Sequence, residues 1–134
     1  MTTLFADSFY FLAVLNRRDE YHARALKIAS QRDFRAVTTR AVLLEVADAL
    51  ADTQSRRAAA DALMRADARS SIEVVPLDED LFARGLALYR DRPDKKWSLT
   101  DCISFVMEDR GIREALTGDH HFAQAGFVPL LAQT

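Results

Sequence analysis

TTLFADSFYFLAVLN, residues 2–16, carries the reading that decides the fold. TTLFAD is a short apolar run of strand length that stops at an aspartate. SFYFLAVLN follows at once as a short apolar helix, with Asp7 or Ser8 placed to cap it. A buried strand that feeds straight into a helix is the opening of an α/β unit, in which helices cover both faces of a parallel sheet.

The same alternation repeats along the chain. Residues 19–31, DEYHARALKIASQ, place Tyr21, Ala25, Ile28 and Ala29 on one helical stripe. FRAVTT, 34–39, is the second strand, and Thr39 opens a helix to about Ala51 with Val42, Leu43, Val46 and Leu50 inward. Ser55 caps a helix rich in alanine and arginine, and IEVVPL, 72–77, is the third strand. DEDLFARGLALYRDR, 78–92, is helical with Leu81, Leu86 and Leu88 among its apolar positions. RPDKKW is a loop, and SLTDCISFVMEDRG, 98–111, is one helix with Gly111 as its C-terminal stop. REALTGD is a fourth strand and turn, DHHFAQAG a short helix, and FVPLL a fifth strand. No repeat, low-complexity tract or linker interrupts the pattern. The 134 residues are expected to form one domain, 1–134.

Composition narrows the class. Apolar residues make up 49% of the chain, with only 4 glycines and 3 prolines, so a packed core is expected rather than disorder. Cys102 is the only cysteine, which rules out an intrachain disulfide and suits a reducing cytoplasm. The apolar start has no basic leader and contains Asp7, so it reads neither as a signal peptide nor as a bilayer span. A net charge of -2 argues against a simple electrostatic nucleic-acid binder. Two features soften that. Clustered acids would be neutralised by a metal, and the basic residues are mostly arginine, the better phosphate fork. They group at Arg17 and Arg18, at Arg56 and Arg57, and at Arg90 and Arg92 with Lys95 and Lys96. Taken one by one, most of these read as solvated helix surface.

Four acids stand where apolar runs meet turns or helices: Asp7, Glu45, Asp101 and Asp119. In parallel α/β sheets, ligands bind outside the carboxyl ends of the strands at a topological switch point. Asp7 and Asp119 each end a strand, so both flank one crevice if the first and fourth strands are neighbours. Each aspartate also has an ordinary role as a helix cap, and Ser98 with Asp101 forms an S-x-x-D capping box. Around that helix the apolar centre falls near Leu99, Ile103 and Val106. Asp101 lies roughly 160–170° away, at about 100° per residue, flanked by Thr100 and Ser104, which could orient its oxygens. Glu45 sits at the margin of an apolar stripe, whereas Asp48 lies on the exposed side. Capping does not account for Glu45. Carboxylates gathered at a strand edge are oxygen ligands for hard divalent cations. Two such charges about 5 Å apart repel by roughly 3 kcal/mol at an effective dielectric of about 20. A cation relieves that repulsion, and without one some carboxyl pKa values should rise.

In this order the motifs resemble the PIN domain, the small nuclease fold of VapC-type toxins and related RNA-processing proteins. FADSFYFLAVL is similar to the first motif, TTRAVLLEVADAL to the second, WSLTDCISFVMEDRGI to the third and ALTGDHHFAQAGF to the last. The resemblance implies a five-stranded parallel sheet of order 3-2-1-4-5, flanked by helices. It carries the acidic quartet onto Asp7, Glu45, Asp101 and Asp119, as catalytic residues and as ligands of Mg²⁺ or Mn²⁺. Ser8 matches the hydroxyl after the first acid, and Thr100 and Asp94 lie near the third motif as secondary candidates. It further implies RNA cleavage that leaves a 3′-hydroxyl and a 5′-phosphate, a homodimer, and an antitoxin partner covering the crevice.

Other readings fit the pattern less well. A catalytically degenerate RNA-binding or regulatory module would keep the fold, but the quartet is complete. A haloacid-dehalogenase-like phosphatase would have D-x-D after its first strand, where this chain has Asp7-Ser8-Phe9. A receiver domain would have an early acidic pair and a late lysine, and neither is evident. His120 and His121, adjacent on a helix, are expected to point apart and to serve as surface and packing residues. His22 reads as helix surface, Cys102 as a buried inert thiol, and Trp97 as a packing residue rather than a base-stacking platform.

Overall fold

The computed structural model describes residues 2–68 and 72–132. The remaining residues of the expected 1–134 domain, 1, 69–71 and 133–134, lie outside that description. Five strands form one sheet in the order β3-β2-β1-β4-β5, every pairing parallel, as the sequence reading expects. They are β1 (Thr2–Ala6), β2 (Phe34–Thr39), β3 (Ile72–Val75), β4 (Glu114–Leu116) and β5 (Val128–Pro129).

β1 is central, with two strands on either side. Its Leu4, Phe5 and Ala6 are fully buried, the unbroken apolar run that a strand covered on both faces requires. Phe5 lies opposite Val37 of β2 and Ala115 of β4, and Ala6 lies opposite Leu116. β5 at the rim is two residues long and holds Pro129, which a sheet edge tolerates because the missing N–H has no ladder partner to lose.

The helices are α1 (Ser8–Leu15), α2 (His22–Gln31), α3 (Arg40–Ala49), α4 (Arg56–Ala68), α5 (Glu79–Asp91), α6 (Leu99–Phe105) and α7 (His120–Gln124). α3 buries Val42, Leu43 and Val46, with Leu50 just beyond its end, and the Thr39 hydroxyl accepts from Val42 N–H as its N-cap. α2 starts three residues later than the pattern suggests. The Asp19 carboxylate accepts from Tyr21 N–H at 2.8 Å, which makes this stretch a turn rather than a first helical turn.

A further departure lies at the third motif. The expected helix 98–111 is α6 followed by a 3₁₀ segment, Val106–Arg110. Gly111 closes it at φ 79°, the left-handed stop read from sequence. On α5, Leu81 is buried but Leu86 is exposed, in company with Phe82 and Tyr89. Gly85 decides which face turns inward. A Cβ there would stand 2.5 Å from Ile103 Cγ1, so the α5 backbone packs directly on α6 and the Leu86 side is left outside.

Aromatic rings fill the space between α6, α7 and the sheet. Phe105 packs edge-on against Trp97 and Phe122, both at 4.9 Å between centroids. Each fully buried Phe contributes about 1.5–3 kcal/mol relative to exposure. This cluster anchors the two helices that carry Asp101 and Asp119.

Candidate active site

β1 ends at Ala6 and β4 at Leu116, and these two residues are register partners. The chain therefore leaves the sheet side by side at Asp7 and Thr117. This is the switch point, since β1 leads toward β2 on one side while β4 and β5 lie on the other.

Asp7 occupies the N-cap position of α1, yet its side chain makes no cap hydrogen bond. Capping therefore does not explain it. Thr117 Oγ1 donates to its Oδ2 at 2.8 Å, and Ser8 Oγ lies 3.5 Å from Oδ1. The residue is only 4% exposed. Burial pushes its pKa up to about 7; the Thr117 hydrogen bond and the Ser8 backbone N–H oppose this, and the charges of Asp101 and Glu45 add to it.

Glu45 reaches the same place from α3. Ser8 Oγ donates to its Oε1 at 2.5 Å, so one hydroxyl spans the first and second acids. Burial raises the Glu45 pKa, Ser8 moderates the rise, and Asp101 and Asp119 reinforce it. Glu45 is half-buried while Asp48 is exposed, as the position of the apolar stripe predicts.

Asp101 is a cap and a member of this cluster at once. Its N–H donates to Ser98 Oγ at 3.0 Å and its Oδ2 accepts from Ser98 N–H at 3.2 Å, a complete capping box. The same Oδ2 lies 3.3 Å from His121 Nδ1. Burial raises its pKa, Ser98 N–H and His121 pull it back, and Asp119 pushes it further up. Thr100 and Ser104, expected to orient this carboxylate, do not. Among the described residues Thr100 makes no side-chain hydrogen bond to it, and Ser104 Oγ is buried without a partner.

Asp119 is the N-cap of α7. Its Oδ1 accepts from His121 N–H at 2.9 Å, while its own N–H donates to Thr117 Oγ1 at 3.1 Å. Asp94 is not brought into the group. It is exposed and bound bidentately by Arg92 at 2.9 Å for both contacts, which holds its carboxyl down at about 2.

The model of the PIN domain family matches residues 4–128. The chain belongs to the PIN domain family. Similar solved structures agree with the fold. The Mycobacterium tuberculosis toxin VapC20, which cleaves the sarcin–ricin loop, is 26% identical over 93% of this chain and 96% of its own, with a TM-score of 0.86. The chain also resembles DNA-bound VapBC of Salmonella typhimurium, at 11% identity and TM-score 0.62, covering 96% of both chains. VapBC2 of Rickettsia felis bound to promoter DNA follows at 10% and 0.61, covering 95% of this chain and 96% of that one. No curated protein matches the sequence.

Two further residues touch the acids of this PIN domain, one unread in the sequence and one read as packing. Thr117 is fully buried and ties Asp7 to the backbone of Asp119; in LTGD it reads as part of a turn. A buried hydroxyl one step beyond a strand end, two before an acid, is the only sequence signal for it. His121 was expected to be a packing residue pointing away from its neighbour. It lies instead against Asp101 and, at 3.6 Å, against Asp119. His22 is half-buried, its Nδ1 2.7 Å from Ala13 carbonyl oxygen, rather than plain surface. Cys102 is buried, and burial raises its thiol pKa, in keeping with an inert role. Trp97 is buried and donates to Gln124 Oε1 at 2.9 Å, as a packing residue does. No helix among the described residues is long and apolar enough to cross a membrane.

Proposed function

We propose that this PIN domain is a metal-dependent endoribonuclease and the toxin of a toxin–antitoxin pair, working in the cytoplasm as one domain over residues 1–134. The observation that carries the reading is the convergence of Asp7, Glu45, Asp101 and Asp119 at the carboxyl ends of β1 and β4, where Ser8 links Asp7 to Glu45, Thr117 links Asp7 to Asp119, and His121 lies against both Asp101 and Asp119. The likeness to VapC20 and to VapBC complexes supports the toxin assignment, an RNA substrate and an antitoxin partner. Family resemblance supports a homodimer.

The donor set fits a hard divalent ion. It is built of carboxylate oxygens, and three of the four acids have pKa values raised by burial and mutual repulsion, which a cation would relieve. Asp7, Asp101 and Asp119 would hold Mg²⁺ or Mn²⁺ directly or through water, with Glu45 completing the set. When bound, such an ion lowers the pKa of water and neutralises charge on a phosphate.

The chain's own residues prepare that site. Thr117 fixes the Asp7 carboxylate and the start of the Asp119 turn together. Ser8 sets Glu45 against Asp7. Ser98 N–H and His121 hold Asp101 Oδ2 in place. No histidine general base is required. Hydrolysis in line at the scissile phosphate would leave the 3′-hydroxyl and 5′-phosphate implied by the family.

The test is RNA cleavage by the purified, partner-free protein, with sarcin–ricin-loop RNA as the first substrate. Cleavage is expected with Mg²⁺ or Mn²⁺ and should stop with a chelator. Asp7→Asn, Asp101→Asn and Asp119→Asn should each remove most of it. Wild-type cutting by all three variants would overturn the site assignment.

A further inference from the structure

We propose that Asp119, His120 and His121 form a second metal site, selective for a borderline first-row ion of the Zn²⁺ class, which shares Asp119 with the oxygen-only crevice. One ligand atom from each of the three lies within 4.8 Å of the other two. His121 Nδ1 is 3.6 Å from Asp119 Oδ1, and His120 Nδ1 is 3.8 Å from the same oxygen. Tetrahedral ligands about 2.0–2.2 Å from zinc stand roughly 3.3–3.6 Å apart, so each histidine nitrogen needs only a small shift relative to Asp119 Oδ1. His120, with its side chain 77% exposed, is free to make the larger one.

Backbone geometry explains how adjacent histidines share a target. Asp119 is extended, at φ −77° and ψ 121°, and α7 begins at the next residue. The change of direction at the cap lets the Asp119 side chain meet both imidazoles, whose ring centroids are 4.4 Å apart. Mid-helix neighbours would splay.

Ligand chemistry sets the ion. Neutral imidazole suits zinc, copper, iron and nickel, whereas Mg²⁺ prefers carboxylate, carbonyl and water. Zn²⁺ on His121 Nδ1 would displace that nitrogen's 3.3 Å contact with Asp101 Oδ2 and leave the carboxylate's negative charge beside the site. Because Asp119 belongs to both ligand sets, an ion held here would withdraw it from the crevice, and Zn²⁺ would inhibit RNA cleavage. Only this inhibition rests on the proposed nuclease function; the binding does not.

The experiment is calorimetric titration of the chelator-stripped full chain with ZnCl₂ and with MgCl₂. Zn²⁺ should bind more tightly than Mg²⁺. His120→Gln and His121→Gln should each weaken Zn²⁺ by at least roughly tenfold, no less than the loss of an outer-shell partner typically costs. His120→Gln should leave the Mg²⁺-induced rise in Tm unchanged, and Asp7→Asn should leave Zn²⁺ affinity unchanged. With Co²⁺ as the probe, the intense visible absorption of a tetrahedral site should appear in wild type and vanish in His120→Gln. Zn²⁺ affinity unaltered in both histidine variants, or weakened as much by Asp7→Asn as by His120→Gln, would overturn the site. Absence of RNA cleavage alongside the expected titrations would remove the nuclease reading and leave the metal site standing.

Discussion

Thr117 Oγ1 donates to Asp7 Oδ2 at 2.8 Å, a buried bond between residues 110 positions apart that locks the ends of β1 and β4 together. The same hydroxyl accepts from Asp119 N–H, so one side chain places the first and last acids of the quartet. Thr117→Val keeps the shape and removes both interactions. Leaving buried polar groups unpaired costs about 1–3 kcal/mol. Urea unfolding in chelator at pH 8 should show that loss, and RNA cleavage should fall with it. Unchanged midpoints and unchanged cleavage would make Thr117 a filler residue only.

Asp7 predicts a pH dependence with a definite sign. Its pKa stands near 7 in the folded chain against 3.8 for the free side chain, so the folded state holds this proton more tightly than the unfolded state does. The contribution of Asp7 to stability therefore falls as pH rises from about 4 to about 7, and its full cost, of order 4 kcal/mol at most, is present above that window. In chelator at pH 8, Asp7→Asn should melt above wild type, because the amide fills the same space without a charge. The gap should close as pH falls toward 4. A constant difference between the two proteins across that range would show that Asp7 is not the group titrating.

The sheet was legible because its central strand is a continuous apolar run ended by an acid, and because every strand but the last is followed by a helix of recognisable periodicity. β1, β2 and the acids that follow β1 and β4 come directly from that pattern. Side-chain partnerships across the sheet were not legible. Ser8 bonds to Glu45 over 37 positions and Thr117 to Asp7 over 110, and nothing local in either stretch announces the pairing. His121 was misread because helical spacing set it only against His120, whereas Asp119, two residues back, is still extended and turns its side chain toward it. The inward face of α5 was not legible either, because the close approach at Gly85, a tertiary fact, chooses it. The capping and site roles of Asp101 were weighed as rivals, although one carboxylate serves the capping box and faces the crevice together.

Gly118 separates Thr117 from Asp119 and leaves no room for a side chain. A Cβ there would stand 2.5 Å from Phe9 Cζ and 2.9 Å from Cε1. The Phe9 ring is itself held edge-on by Tyr21 at 4.7 Å between centroids. Gly118→Ala should destabilise the chain by about 1–3 kcal/mol through overpacking and displace Asp119. The Mn²⁺-induced rise in Tm should shrink in parallel. Phe9→Leu in the same chain should recover part of both losses. If the double variant is no better than Gly118→Ala, the obstruction lies elsewhere.

Ser98 and Asp101 allow capping to be separated from metal binding on one helix. Ser98→Ala removes the acceptor for Asp101 N–H, and loss of an N-cap hydroxyl costs about 0.5–2 kcal/mol. The carboxylate remains, so the rise in Tm on adding Mg²⁺ or Mn²⁺ should persist. Asp101→Asn has the opposite signature. Its amide oxygen still accepts from Ser98 N–H, while the charge that repels Asp7, Glu45 and Asp119 is gone. In chelator it should melt at or above wild type. Because a ligand stabilises only as far as it binds the folded state, the variant's metal-induced rise should be smaller than wild type's. Thermal melts of the three proteins with and without metal compare the two effects directly. Equal metal-induced shifts in wild type and Asp101→Asn would leave Asp101 with its capping role alone.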